Sequence, residues 1–422
     1  MTELLARSAR YIDEGVYEGP QANNPMDSTF HEVADGIGMV CAFSHVWALH
    51  AGDGLTVFDT SMGPFGAAAV SALRGWRTDP FASIVYTHGH VDHVTGTPAF
   101  LADAAESGHP RPRLVAHENA PTRFDRYEWT QGYNQVINAR QFGGGMAFPA
   151  DFVRPDDTFR SKLDLHAGET TIELHHDRGE TDDHAWAWVP EHKAIFSGDL
   201  FIWVFPNAGN PQKVQRYAAD WAVALRKMIA LEPELLLPAH GLPIAGKDRI
   251  ASVLDNTASA LEGLIEDTVA MMNRGATLDE IVHTVTVPER YAELPYLRGT
   301  YDEPEFVVRN IWRLYGGWYD GNPARLKPPK DAAVASEVAA LAGGAAALSV
   351  RAVEVAECGD LRLACQLAEW AAEAVSDDGR DASEVHANRA EVYRQRRDSE
   401  SSLMAKGIFG TAATASEART GD

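Results

Sequence analysis

The chain has 422 residues, long for one ordinary domain and suited to one large domain plus one small one. Its 37 basic and 60 acidic residues leave a net charge of −23, which offers no basic footprint for nucleic acid and makes solubility the simplest reading of the acidity. No stretch approaches the roughly 18 apolar residues of a membrane span. The first fifteen residues lack the apolar core of a signal peptide, and the three cysteines, Cys41, Cys358 and Cys365, form no C-x-x-C. A reducing, cytoplasmic setting is the expectation.

In chain order, residues 1–30 are polar and read as an arm. Residues 44–50 and 55–59, around Gly52-Asp53-Gly54, read as a hairpin. A helix is expected over 64–76, a strand at 84–86, a helix over 97–107 and a strand at 114–117. Residues 118–165, aromatic and interrupted by Gly143-Gly144-Gly145, read as an irregular lid or insertion. Strands follow at 170–176, 185–189 and 194–197, a helix over 214–231, a strand at 234–237 and a long helix over 249–274. Such alternation implies mixed sheets with helices outside. Pro323, Pro328 and Pro329 mark a linker over 322–331. Beyond it, 332–397 is rich in Ala, Glu, Leu and Arg, and Gly359-Asp360 and Asp377-Asp378-Gly379 divide it into about three antiparallel helices. The small, polar residues 411–422 read as a disordered tail.

The chemistry concentrates at Thr87-His88-Gly89-His90-Val91-Asp92-His93, directly after the strand at 84–86. Three imidazoles and a carboxylate within six positions form a metal-ligand layout, and in a turn alternate side chains point two ways, enough for two ions. Other ligand types also follow strands: Glu180 and His184 in the Arg178 to His184 stretch, Asp199 in Ser197-Gly198-Asp199, His240 in Pro238-Ala239-His240-Gly241, and Asp59. Ligands at several strand ends can converge on one sheet edge. Asp59 reads as an orienter of a ligand rather than a ligand, and His117, His175 and His176 as structural.

The order H-x-H-x-D-H, G-E-T, S-G-D and P-A-H-G resembles the metallo-β-lactamase superfamily over about residues 30–250. That resemblance implies an α+β fold, a four-layer αββα sandwich with a dinuclear site at its sheet edges. By position, His88, His90 and Glu180 would hold one ion, Asp92, His93 and His240 the other, and Asp199 would bridge them, with Asp92 and Asp199 as the catalytic carboxylates. Most of the superfamily has histidine where Glu180 stands, so His184 is the alternative ligand. Glutamate there is similar to the alkyl sulfatase group. The run from Leu314 to Pro323 resembles that group's Y-x-G-W-[FY]-D-G-N-P signature, and 352–368 resembles its all-α dimerisation domain.

The implied organisation is an arm over 1–30, a catalytic domain over 31–321, a linker over 322–331, a dimerisation domain over 332–410 and a tail over 411–422. Two Zn²⁺, with Mn²⁺ or Fe as alternatives, would activate a water to cleave an alkyl sulfate, a small anionic ester, in a homodimer. Asp199 departs from the group's bridging glutamate. The 422 residues are not expected to include the larger members' C-terminal lipid-transfer-like domain, and no arginine matches their sulfate-binding one. Asn207, Lys213 and Arg216 are candidates for that anion pocket, although Lys213 and Arg216 also read as solvated residues opening a helix. Tyr133, with Tyr127, Trp129 and Phe142, reads either as a wall for an alkyl chain or as core or dimer contacts. Phosphodiesters, lactones and thioesters are alternative substrates, because fold does not determine reaction. A non-enzymatic metal-bound module fits the complete ligand set poorly, and a flavodiiron-like oxidase would need a flavin domain.

Overall fold

The computed structural model describes residues 2–52, 54–144, 147–376 and 381–420. Seven strands pair in chain order into one sheet: β1 (Phe30–Ala34), β2 (Ile37–Val40), β3 (Val46–Ala51), β4 (Gly54–Phe58), β5 (Phe81–Val85), β6 (Arg113–His117) and β7 (Asp157–Phe159). The first four are antiparallel and β4 to β7 parallel. The expected hairpin is β3–β4, with Trp47 opposite Phe58 and Ala51 opposite Gly54; Asp53 at its turn lies outside the described residues. A second sheet runs β13-β12-β11-β10-β9-β8, from β8 (Lys162–Ala167), β9 (Thr170–His176), β10 (Ala185–Val189), β11 (Ala194–Ile202), β12 (Leu235–His240) and β13 (Ile244–Ala245). Only β11 and β12 are parallel in it.

Both faces of the central strands are apolar because both are covered. Ile84, Leu114 and Ala116 face one core cluster, and Val85 and Val115 the other, as the period of two requires. Between the sheets Phe58 stacks on Phe196, ring centroids 4.0 Å apart. Helices Gly63–Trp76, Thr97–Glu106 and Ala120–Trp129 cover the first sheet through Leu73, Phe100 and Phe124. Helices Ala218–Ala230 and Lys247–Asn273 cover the second through Trp221, Leu225, Leu254 and Leu261. The result is the four-layer αββα sandwich. The chain divides into two units, Met1–Gln131 with Phe148–Trp318, and Gly132–Ala147 with Tyr319–Asp422.

Several readings of the sequence are corrected. The first thirty residues are not merely an arm: Glu3–Glu14 is a helix that buries Leu4, Leu5 and Tyr11, an apolar stripe obscured by the polar residues between them. Residues 118–165 are largely regular, with helices Ala120–Trp129 and Gln131–Phe142 and strands β7 and β8. Their aromatics anchor the segment, since Phe124 stacks on Phe152 at 4.8 Å and Tyr127 meets Phe148 edge-on. The tail from 411 continues the helix Leu403–Glu417, in which Ala413 and Ser416 are buried.

The helical unit contains Asp331–Ala342, Ala345–Glu357, Leu361–Ala374, Ala382–Ser399 and Leu403–Glu417, so the 332–397 stretch holds four helices where about three were expected. The Asp377-Asp378-Gly379 punctuation lies outside the described residues. Small residues let these helices approach closely, with Ala352, Ala356, Ala364 and Ala368 packed around Val392. A Cβ on Gly407 would sit 2.6 Å from the Arg140 carbonyl oxygen, which shows why the 131–142 helix packs with this unit. Among the described residues no single helix is long and apolar enough to cross a membrane; one pair, Asp331–Ala342 and Ala345–Glu357, passes by composition only when combined across an 85° bend.

Candidate metal centre

The expected ligands lie at strand ends, in the turns and loops that follow them or, for Asp199, at a register break within a strand. Parallel pairing brings the C-terminal ends of β4 and β5 to one edge, carrying Asp59 and the 88–93 turn. In the other sheet Asp199 follows a register irregularity in β11 at Gly198, and His240 ends β12. Such a bulge re-aims the next side chain. Gly198 has φ +52°, and a Cβ there would lie 2.8 Å from the His184 ring, so both conformation and space favour glycine. Glu180 comes from the loop between β9 and β10.

Two donor groups form. His88, His90, Glu180 and Asp199 make one and Asp92, His93 and His240 the other, each with donor atoms within 4.8 Å of one another. Nε2 of His88 is 2.8 Å from Nδ1 of His90. Asp199 faces both groups: Oδ2 is 3.9 Å from His88 Nε2, while Oδ1 is 3.5 Å from His93 Nε2 and 3.6 Å from His240 Nε2. Asp92 Oδ2 lies 3.2 Å from His240 Nε2. His93 Nε2 and Asp199 Oδ1 are buried without a hydrogen-bond partner among the described residues. Orphaned buried polar atoms converging in this way call for a ligand, and four imidazoles with three carboxylates suit a pair of divalent ions.

Asp59 orients His93. It is buried with φ +57°, its Oδ2 is 2.7 Å from His93 Nδ1, and it accepts from the Thr87 main-chain N–H and hydroxyl, both at 2.7 Å. Burial opposes protonation of His93, but Asp199, Asp59 and Asp92 outweigh it and raise its affinity for a proton, as they would for a cation. Burial alone would raise the carboxyl of Asp199, yet His93 and His240 hold it far below the usual range. Glu180 is pushed up by burial and by Asp199, against the pull of Arg216.

His184 does not join either group. Its Nε2 accepts from the Asp199 main-chain N–H at 3.0 Å, and burial drives its pKa down to about 3. Asn207 and Arg216 are both buried, and both point at Glu180: Asn207 Nδ2 and Arg216 Nη1 each donate to Glu180 Oε1 at 2.5 Å, and Nη1 also reaches the Asn207 carbonyl at 2.7 Å. The helix expected from 214 therefore starts only at Ala218, because residues 216 and 217 are held outward, Tyr217 by its N–H bond to Gly179. Lys213 is partly buried, and burial with the Arg216 charge lowers its ammonium to about 8. Tyr127 is core, whereas Trp129 is exposed; Tyr133 and Phe142 are exposed in the helical unit. His117 stacks on His176 at 3.7 Å and His175 on Trp186 at 4.4 Å, which are structural positions.

Sequence reasoning missed a buried ion pair beneath the 88–90 turn. Arg123 Nε donates to Asp183 Oδ1 at 2.8 Å, and Asp183 Oδ2 accepts from the Gly89 N–H at 2.8 Å. Arg123 also pairs with Asp182. The only sequence signal was two adjacent aspartates inside a ligand loop.

A family model described as the metallo-beta-lactamase superfamily matches residues 40–240, and one described as alkyl sulfatase dimerisation matches 277–419. A linear primary-alkylsulfatase from Pseudomonas sp. is 29% identical over 353 residues, covering 78% of this chain and 66% of that protein. An (R)-specific secondary-alkylsulfatase from Pseudomonas sp. is 24% identical over 313 residues, covering 68% of this chain and 47% of that protein. The structure of the stereoselective inverting sec-alkylsulfatase Pisa1 from Pseudomonas sp. has the same fold, with a TM-score of 0.82 at 21% identity over 94% of this chain and 66% of that one. This chain thus spans at most about two thirds of the length of these relatives. The sandwich with its donor-bearing strand ends agrees with the metallo-beta-lactamase match over residues 40–240, and the helical segment with the alkyl sulfatase dimerisation match over 277–419.

Proposed function

We propose that this chain hydrolyses alkyl sulfate esters to an alcohol and sulfate at a two-metal centre. The observation that carries the reading is Asp199, whose two carboxylate oxygens address the two donor groups. The dimerisation domain shared with alkylsulfatases directs it toward sulfate esters and a homodimer. His88, His90 and Glu180 would hold one ion, Asp92, His93 and His240 the other, and Asp199 both. Zinc suits the four imidazoles, and the carboxylates also suit manganese or iron. Bound there, such a pair lowers the pKa of a coordinated water and offsets charge on the leaving group.

The chain's own residues supply the positioning. Asp59 fixes the His93 ring, the His184 imidazole holds the main chain at Asp199, and Asn207 with Arg216 holds Glu180. Lys213 is assigned to the substrate sulfate: a cation close to Glu180 and Asp92 counters the acidic field of the chain for an anionic ester. Asn207 and Arg216 act behind the ligand, since their donors are directed at Glu180.

The test is sulfate release from dodecyl sulfate and from a secondary alkyl sulfate by the metal-loaded protein. Phosphodiester, lactone and thioester substrates are run in parallel. Sulfate release without turnover of the others is expected. No sulfate release with two ions bound per chain refutes the substrate class, and turnover of one of the other esters replaces it.

A further inference from the structure

The 88–90 turn carries two ligands on three residues, and its middle residue, Gly89, has only a main chain with which to be held. That main chain is held from below. The Gly89 N–H donates to Asp183 Oδ2 at 2.8 Å, and the other oxygen of Asp183 accepts from Arg123 Nε at 2.8 Å. A Cβ on Gly89 would lie 2.9 Å from Arg123 Cδ, 3.0 Å from Phe124 Cε1 and 3.1 Å from Asp183 Oδ2, so the turn sits directly on the pair. Asp183 belongs to the same loop as Glu180. A second bond ties that loop to the start of the Ala120–Trp129 helix, from Asn119 Nδ2 to the Asp182 carbonyl at 3.0 Å.

We propose that Arg123 and Asp183 are positioning residues that latch the His88–His90 turn to the Glu180 loop, and so set the geometry of that half of the metal centre alone. This rests on the two-metal reading. Asp183 is fully buried and Arg123 is 3% exposed. Burying such a pair costs desolvation that a well-packed apolar pair avoids, so its presence points to geometry rather than to stability. His93 of the other half is held by Asp59, and Asp59 by Thr87, whose hydroxyl also lies 3.1 Å from His88 Nδ1; the Arg123–Asp183 pair touches only the first half. Ligand orientation by a hydrogen-bonded outer group is a recognised determinant of metal affinity, of about 10–100-fold per contact.

The two halves make the latch testable without turnover. Zinc is titrated into the full chain against a chromophoric chelator, and stepwise affinities are compared for the wild type, Arg123→Met and Asp183→Asn. His88→Ala identifies which step belongs to the latched half. The expected result is two ions in the wild type, with the step lost in His88→Ala weakened about tenfold or more in both latch variants and the other step unchanged. Two unchanged steps overturn the proposal. Equal weakening of both steps also overturns it, because it marks a general loss of structure. Should the charge variants fail to fold, Gly89→Ala separates the turn from the latch with every charge kept, and the same one-sided loss is expected. A wild type that binds fewer than two ions refutes the two-metal reading first, and the latch falls with it.

Discussion

Nδ1 of His93 lies 2.7 Å from Oδ2 of Asp59, so the opposite nitrogen of the ring faces Asp92 and Asp199, at 3.5 Å from each. Asp59 is itself pinned by two donors of Thr87, the residue that opens the ligand turn. The end of one strand thereby sets the ring orientation of an imidazole presented after the next.

Replacing Asp59 with Asn keeps its volume and removes the charge behind His93. Zinc affinity of the step assigned to Asp92, His93 and His240 is expected to fall by about 10–100-fold. Stepwise metal titration reads this directly, and an unchanged step contradicts the role given to Asp59.

Asp199→Ala removes the carboxylate that, among the described residues, lies between both donor groups. Metal analysis is expected to find no paired ions, and sulfate release is expected to be lost. Retained turnover would exclude the two-metal centre.

Arg216 and Glu180 are buried together at 3% and 5% exposure. Arg216→Met leaves the carboxylate without its cation, and the chain is expected to lose about 3 kcal/mol, the range for breaking a buried pair from one side. Urea denaturation measures the loss. The double variant Arg216→Met with Glu180→Gln is expected to recover much of it, because no buried charge then lacks a partner.

Asp302 is fully buried, and burial pushes its carboxyl up to about 6 despite main-chain donors at Gly209, Glu303 and Asn210. Between the unfolded value near 4 and the folded value the native chain binds more proton than the unfolded chain. Stability from this group is therefore present at low pH and lost as pH rises through the folded value. Relative to the wild type, Asp302→Asn is expected to gain up to about 3 kcal/mol between pH 4 and pH 7. Denaturation midpoints of the two chains across that range check the sign, and a difference that does not change with pH contradicts it.

The members of the two donor groups were legible because their pattern is local. His88, His90, Asp92 and His93 sit in one turn after a β-branched strand, and Glu180, Asp199 and His240 each follow another. Mixed sheets with helices outside were legible in short apolar runs alternating with helical stretches, whereas the four-layer sandwich was implied by the motif resemblance. The helix Glu3–Glu14 was hidden by polar residues between Leu4, Leu5 and Tyr11, and the last helix by small residues that resemble a disordered tail. Its Ala413 and Ser416 become buried only by packing against the rest of the chain.

Residue types and their spacing were enough to identify the metal-binding chemistry and the strand ends that present it. Which polar groups serve those ligands was a matter of packing. Asp59 was expected as an orienter, but its partner His93, 34 positions on, was not given by the sequence; Arg216 meets Glu180 across 36 positions and Arg123 meets Asp183 across 60. No periodicity or motif encodes such pairs, because each depends on two elements being folded against each other. That folding turned Arg216 and Asn207 from candidate substrate contacts into hydrogen-bond partners of Glu180.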